Sequence, residues 1–459
     1  MTASQFTVII VGGGIAGLTL AHCLRRVNIN HIVLEKRSDM CPQEGASIGI
    51  LPNGGRILGQ LSLFEHIEPL IEPLYRTHIT FPVGFSFSST FPKLLHDQFG
   101  YPIAFFDRQK LLEILHTQYP DQSKILTNQR VAAIRPVGSR VNVITEAGVT
   151  YTGDLVVGAD GIHSKVRSEM WRIADTVRPG LVTEREKSSM TTEYCCIFGI
   201  SSCVPGLEVA DQINAFHDNL TFIILVGKNK RAFWFVMKKM DQRYTYPNNP
   251  RFSAEYTAQA CEKLAHLHLT KDLTFRQVWD TRVLAAMTPL EENIFQTWYL
   301  DRIVCIGDSV HKMTPNIGQG ANMAMEDAVV LANCLHAALL QTRRQRLSDS
   351  EVQVLLQEFY SKRYSRAKSI CTASRYMTRF QARDGLANKV LGRYVVPFLA
   401  DVPARVGTST IRGSPAINFL PLPERDGPGW KTNKSSLGFH HAMLFTLLLT
   451  IAIYWYRSL

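Results

Sequence analysis

Nine cysteines are scattered along the 459 residues, yet none forms a Cys-x-x-Cys pair and no His/Cys group falls at zinc-ligand spacing. Neither a bound metal nor a disulfide framework is expected, and unpaired thiols suit a reducing compartment. The apolar stretch near the N-terminus has no basic residue ahead of it, so no secretory signal is expected. No internal repeat is present, which excludes solenoid and propeller arrays. The aromatic–basic interleaving of a nucleic-acid module is also missing, and no nucleic-acid partner is expected. What remains, with 46% apolar and 19% charged residues, is a globular chain long enough for two or three domains.

Excess charge is absent from most of the chain. Residues 1–340 carry 32 Lys and Arg against 32 Asp and Glu, whereas residues 341–459 carry 18 against 7 and so hold the entire net charge of +11. Arg343, Arg344 and Arg346 contribute, followed by Lys362, Arg363, Arg366, Lys368, Arg375, Arg379 and Arg383. Residues 435–456 then contain no Lys, Arg, Asp or Glu. As a helix, residues 437–456 would extend about 30 Å, the thickness of a hydrocarbon core. Tyr454, Trp455 and Tyr456 cluster at the end as an interfacial belt would, ahead of Arg457. A Pro- and Gly-rich stretch at 421–429 precedes the segment as a linker. A C-terminal membrane anchor is expected, with a buried core helix as the alternative. The basic last quarter would face anionic cytosolic lipid, or else be a solvated helix face.

The most informative stretch is the first. Residues 8–11 form a short apolar run suited to a strand buried on both faces of a parallel sheet. Gly12-x-Gly14-x-x-Gly17 follows, permitting a tight turn, close approach of a pyrophosphate and close packing of the next helix. That helix, expected at 15–27, aims its N-terminal N–H groups at the phosphates. Residues 31–34 read as the second strand, and Glu35 at its end is placed to accept from both ribose hydroxyls. A carboxylate there repels a 2′-phosphate, so the site suits the ADP half of FAD or NAD.

Further along, residues 45–55 suggest a loop and short strand running into a helix at 56–63. Residues 74–93 suggest a small β-excursion, and Asp107 an acidic N-cap for a helix. A hairpin at 141–152 and a buried strand at 155–157 deliver Gly158-Ala159-Asp160-Gly161, with Arg167 beyond. Short β-type runs between 194 and 237 suggest an antiparallel sheet. Residues 302–306 read as a third buried parallel strand, leading into Gly307-Asp308, His311, Pro315, Gly318, Gly320, Ala321 and Asn322, then a long helix and a basic helical region.

These three stretches, in this order and at these separations, resemble the single-component FAD-dependent monooxygenases of the aromatic-hydroxylase type. With residues 45–53, Phe106-Asp107-Arg108 and the 421–423 stretch, the chain is most similar to fungal paxilline-type epoxidases of terpenoid, meroterpenoid and indole-diterpene pathways. The resemblance implies an α/β fold: a Rossmann-type FAD-binding domain in three parts (1–75, 101–175, 296–341) interleaved with a substrate domain (76–100 and the antiparallel sheet at 176–295). A basic helical region (342–420), a linker (421–436) and a transmembrane helix (437–456) complete it. Implied cofactor contacts are Gly12, Gly14, Gly17, Glu35, Gly49, Arg108, Asp160, Asp308, Gly318, Gly320 and Ala321. Asp308 would hold a ribityl hydroxyl or else cap a helix. Arg108 would reach the flavin chain or lie on a helix surface, and Asp160 and Arg167 would touch nucleotide or be structural.

The implied chemistry is reduction of FAD by transiently bound NAD(P)H, since no second GxGxxG is present, then addition of O2 to give a C4a-hydroperoxide. The electrophilic oxygen would epoxidise an alkene of a lipophilic prenylated intermediate, on a cytosolic catalytic body held at the endoplasmic reticulum membrane through lipid contact of the anchor. His217, at the end of a strand in the substrate sheet, is the single acid/base candidate, with a packed histidine as the alternative. An aromatic-ring hydroxylase is the nearest enzymatic alternative, and a non-catalytic prenyl-binding carrier of related fold is the alternative from another class. The Trp-x-Trp-x-Ile-Pro signature of flavin halogenases is absent.

Overall fold

The computed structural model describes residues 5–43, 45, 47–342, 346–398, 402–425 and 427–431. The anchor expected at 437–456 lies outside the described residues, as do Arg343 and Arg344. Among the described residues one helix, Gly320–Thr342, is long and apolar enough to cross a membrane, but 72% of its apolar window is buried inside the protein.

The apolar run after Phe6 forms the strand Thr7–Val11, fully buried beyond its first residue. It pairs in parallel with Asn30–Leu34 on one side and Leu155–Gly158 on the other. Ile303–Cys305 joins in parallel beyond Leu155–Gly158, and Ile125–Leu126 beyond Asn30–Leu34; Tyr299–Leu300 closes one edge in antiparallel. Gly12, Glu35, Ala159 and Ile306 each follow the C-terminal end of one of four adjacent parallel strands. Such ends gather on one rim of an open α/β sheet, where ligands bind.

A second sheet has eight strands, in the order His311–Lys312, Arg282–Ile294, Thr191–Ser202, Arg231–Thr245, Leu220–Val226, Asp211–His217, Arg76–Thr80, Ser86–Ser89. It is antiparallel except where Asp211–His217 meets Arg76–Thr80, which arrives from the early excursion and runs parallel. One face packs Ile213, Ala215, Phe222 and Trp234 against the helices Ala254–Leu264 and Phe275–Asp280. The other places Cys196, Ile223, Leu225 and Met237 against Leu51, Phe99 and Ile103.

The helix expected at 56–63 spans Pro52–Gln60, starting at a proline in its first turn. Gly54 and Gly55 stand within this helix as glycines because the side chains of Asn322 and Tyr101 occupy the space a Cβ would need. The Asp107 carboxylate does not cap the helix Arg108–Thr117; it accepts from Arg231 Nη2 at 2.8 Å. Residues 421–431, expected to be a linker, are packed on the body over their described part. Gln60 Nε2 donates to the Ile417 and Pro421 carbonyls, and buried Trp430 donates to the Phe99 carbonyl at 2.9 Å.

The basic region also departs from its expected role. Its helix Asp349–Gln381 turns Arg363, Arg366, Ser374, Thr378 and Gln381 inward, with Ile370 completing the three- to four-residue spacing. Arg363 Nε donates to Asp327 Oδ1 and Nη1 to Glu326 Oε2, both at 2.7 Å, with the arginine side chain 1% exposed and both acids 0%. Arg366 forks onto both Glu326 oxygens at 2.7 Å. Asp327 Oδ2 also accepts from Gly307 N at 2.8 Å and bonds His311 Nε2 at 2.6 Å. Ser374 and Thr378 meet the Thr314 hydroxyl at 2.8 and 2.6 Å, and Gln381 accepts from Asn316. Arg379 crosses to the second sheet, donating to Glu193 at 2.6 Å and Glu292 at 3.1 Å.

Burial alone would raise the Asp327 carboxyl, but His311 and the Arg363 guanidinium outweigh it and hold the group at about 2. With the folded value below the unfolded one, its contribution is complete above about pH 4 and is lost as pH falls toward 2. Arg363→Leu leaves two carboxylates buried beneath a lost partner and should cost about 3–5 kcal/mol in urea unfolding. The acid-unfolding midpoint of that variant should rise relative to the parent. Arg363→Lys should recover little, since one ammonium does not reproduce the planar fork between two acids.

Candidate active site

Two helix N-termini meet at the rim of the first sheet. Ile15–Arg26 begins after Gly14 and Gly320–Thr342 begins after the Pro315–Ile317 turn and Gly318. Gly307 lies between their first turns: a Cβ there would be 3.4 Å from that of Ala16 and 3.1 Å from that of Ala324. Two positive helix ends and two sets of first-turn N–H groups, which have no acceptor within their own helix, are therefore adjacent.

The glycines of the two turns do different work. Gly12 has φ +110°, and a Cβ on it would strike the Ala159 carbonyl; one on Gly17 would strike the Gly12 carbonyl. These two are required by the protein itself. Among the described residues, a Cβ on Gly14 or Gly320 would meet nothing within 4 Å, so both leave a bare cradle at a helix N-terminus. Gly318 has φ +64° and would crowd Leu51 at 3.0 Å, and Gly49 would crowd Phe105 at 2.6 Å. Asn322 fixes this turn, accepting from Leu51 N at 3.1 Å and donating to the Gly49 and Gly318 carbonyls at 3.0 and 2.8 Å. Ala321, half-buried, follows Gly320 on the same helix turn.

Glu35 is buried, with Oε2 accepting from Gly13 N at 2.8 Å and Oε1 from Arg37 N at 3.0 Å. A carboxylate offers about four lone-pair sites, so acceptor capacity remains for a ligand. Arg108 is half-buried, its Cδ 3.5 Å from a Cβ built on Gly45, at the end of the loop that follows Glu35. Asp308 is partly exposed and pairs with Lys312. Asp160 accepts from Lys165 N at 2.7 Å and Val166 N at 3.1 Å, capping the helix Lys165–Val177, while burial pushes its carboxyl up. Arg167 donates to the Ser309 and Ile162 carbonyls at 2.7 and 2.8 Å. Of the two roles open to Asp160 and Arg167, these bonds describe the structural one, tying two rim turns together.

His217 lies on the other face of the second sheet, in the packed setting that is its alternative reading. It shares strand parity with Ile213 and Ala215, bonds the His268 carbonyl at 3.1 Å and lies edge-on to Phe222 at 5.6 Å. That is the helix-covered face, away from the Gly318 turn. Period-2 alternation decides the face, and counting from Ile213 is the signal that could have found it. The opposite face holds half-buried Phe198 and Phe235 on central strands, with Phe105 beside Gly318.

Other members of the site were not expected. Asn53 Nδ2 donates to Glu326 Oε1 at 2.8 Å and to Gln319 Oε1 at 3.0 Å. Glu326 fixes the Asn53 amide, since the reverse orientation would set its oxygen against a carboxylate. Gln319 is consequently held with its Nε2 buried and without an acceptor among the described residues. Bare cradles at two helix N-termini, an acid beside one and an orphaned amide N–H beside the other fit a cofactor with a pyrophosphate and a ring rich in hydrogen-bond acceptors. FAD is such a group.

Comparison with known proteins agrees. Residues 5–353 match the FAD binding domain family. The chain is 57% identical over 426 residues to the FAD-dependent monooxygenase atmM of Aspergillus flavus, covering 93% of this chain and 89% of that one. Identity to the FAD-dependent monooxygenase ptmM of Penicillium ochrochloron is 54%, covering 92% and 99%. Among solved structures, Klebsiella pneumoniae HpxO complexed with FAD and uric acid superposes with a TM-score of 0.70 at 19% identity, over 89% of this chain and 97% of that one; that likeness concerns the fold. The family match, the relatives and the two-ended site lead to one conclusion: the chain belongs to the FAD-dependent monooxygenases.

Proposed function

We propose that this monooxygenase epoxidises an alkene of a lipophilic, prenylated intermediate in fungal secondary metabolism, of meroterpenoid or indole-diterpene type, using NAD(P)H and O2. The observation that carries the reading is the sheet face beside the Gly318 turn. Phe198 and Phe235 lie on central strands yet are only half-buried, and Ile223, Leu225 and Met237 surround them without charge. An apolar floor of this kind orients a hydrocarbon chain and excludes water from the reacting centre.

FAD supplies the activation of O2; the chain's contribution is to hold and shield it. Glu35 would take the ribose hydroxyls, the first turn after Gly14 the pyrophosphate, with Arg108 nearby, and Asp308 the ribityl chain. The first turn after Gly320, with Ala321, would face the ring and favour negative charge there. Residues 437–456 would tether a cytosol-facing body to the membrane in which such substrates dissolve.

Purified enzyme given 18O2 and a prenylated substrate should yield an 18O epoxide with matching NADPH consumption. An 18O phenol would instead support ring hydroxylation. Glu35→Ala should weaken FAD binding by about 1.5–3 kcal/mol, the scale of charge-assisted hydrogen bonds, read by flavin fluorescence titration. Gly320→Val should keep the parent's unfolding midpoint, because a Cβ there meets no described atom within 4 Å, yet lose flavin occupancy and turnover. If Gly320→Val binds FAD and turns over normally, the assignment of that cradle is wrong.

A further inference from the structure

The short helix Gly385–Val390 and the turn Leu391–Val395 that continues it carry an apolar ridge for which nothing in the flavin site calls. Leu386 is 63% exposed, Val390 47% and Tyr394 65%. Their four-residue spacing puts them on one side of the helix. The ridge adjoins the turn between Arg76–Thr80 and Ser86–Ser89, whose tip residue Val83 is 71% exposed. Arg393 stacks 3.8 Å from the Phe85 ring centre, and a Cβ on Gly392 would lie 3.4 Å from Phe380 and 3.5 Å from Phe81.

Charge beside the ridge is positive. Arg383 and Lys389 share one carboxylate, Asp218, at 3.1 and 2.6 Å. Arg393 has no ion-pair partner among the described residues. Asp384, the one acid on this stretch, is turned inward to the Tyr194 hydroxyl and Lys239, at 2.8 and 2.7 Å. Beneath the ridge Phe81 contacts Phe85, Phe87 and Phe216, a rigid aromatic base that fixes its direction.

We propose that this ridge docks on the surface of an anionic lipid bilayer, with Leu386, Val390 and Tyr394 at the headgroup–acyl boundary and Lys389 and Arg393 beside lipid phosphates. A narrow apolar stripe flanked by cations and ending in a tyrosine is how interfacial helices bind. Four side chains fall short of the roughly 800 Å² per partner of a stable protein interface, which disfavours a second copy as occupant. The proposal is independent of the substrate and of residues 437–456: it concerns a second contact, made by the folded body.

The test uses the full FAD-loaded chain with exposed Cys203 replaced by Ser and an environment-sensitive nitrobenzoxadiazole label on Val390→Cys, or on Val177→Cys as the remote exposed control. Vesicles of phosphatidylcholine containing about one-third phosphatidylserine should shift the 390 emission to the blue, and nitroxide-labelled lipid should quench it. Position 177 should not respond, and the 390 signal should fall in pure phosphatidylcholine or high salt. Adding Tyr394→Asp should abolish the response at 390 while flavin content and NADPH oxidation stay unchanged. No lipid response at 390, or an equal one at 177, overturns the proposal. So does a blue emission that grows with protein concentration before lipid is added, which would mean a second copy covers the ridge. A blue emission indifferent to both concentration and lipid would mean the chain's own residues 432–459 cover it, and overturns it as well.

Discussion

The fold rests on one buried cluster of charge. Glu326 and Asp327 sit in the second turn of an otherwise apolar helix, where ions survive only if every lone pair finds a donor. The donors come from three places: Gly307 N and His311 on the rim turn, Asn53 on the Pro52–Gln60 helix, and Arg363 and Arg366 on the basic helix. Burying such a group has little net worth against an apolar core, but removing one member strands the others. The cluster therefore acts less as a reservoir of stability than as a registration device. It sets the rim turn, the helix that follows Gly320 and the Gln319 amide in one arrangement.

The nucleotide half of the fold was legible because its signals are local. The strand ending at Val11, the glycine turn and the acid at Glu35 lie within 29 residues, and each has a geometric reason that neighbouring sequence supplies. The charged cluster was not legible because its members are far apart in sequence and each has an ordinary local reading. Arg363 and Arg379 look like a solvated helix face until Glu326 and Glu193 are brought beneath them. One clue was available: two adjacent acids inside an apolar helix call for buried cations somewhere. The face on which His217 lies was hidden for another reason. A strand end is a good place for a catalytic group only on the correct face, and the face is set by pairing with strands on either side.

Glycine shows the same limit at finer scale. Motif spacing treats Gly12, Gly14, Gly17, Gly318 and Gly320 alike, yet of these five only Gly14 and Gly320 face space that no described residue fills. At the others the missing side chain makes room for the protein's own backbone, Leu51 or a left-handed turn. Sequence can mark where a chain must come close to something, but not whether that something is a ligand or the chain itself.

The helix Asp349–Gln381 touches both sheets. Along its inner edge Ser374, Thr378 and Gln381 are bonded to Thr314 and Asn316, and between them Arg379 is ion-paired to Glu193 and Glu292. A swing of the two bodies about a hinge would have to break both sets of polar pairs at the C-terminal end of this helix at once, where little water is available to replace them. Breathing by rigid-body opening is thus disfavoured. Admission of a bulky molecule to the aromatic floor then falls to smaller moving parts, side chains and short connecting turns.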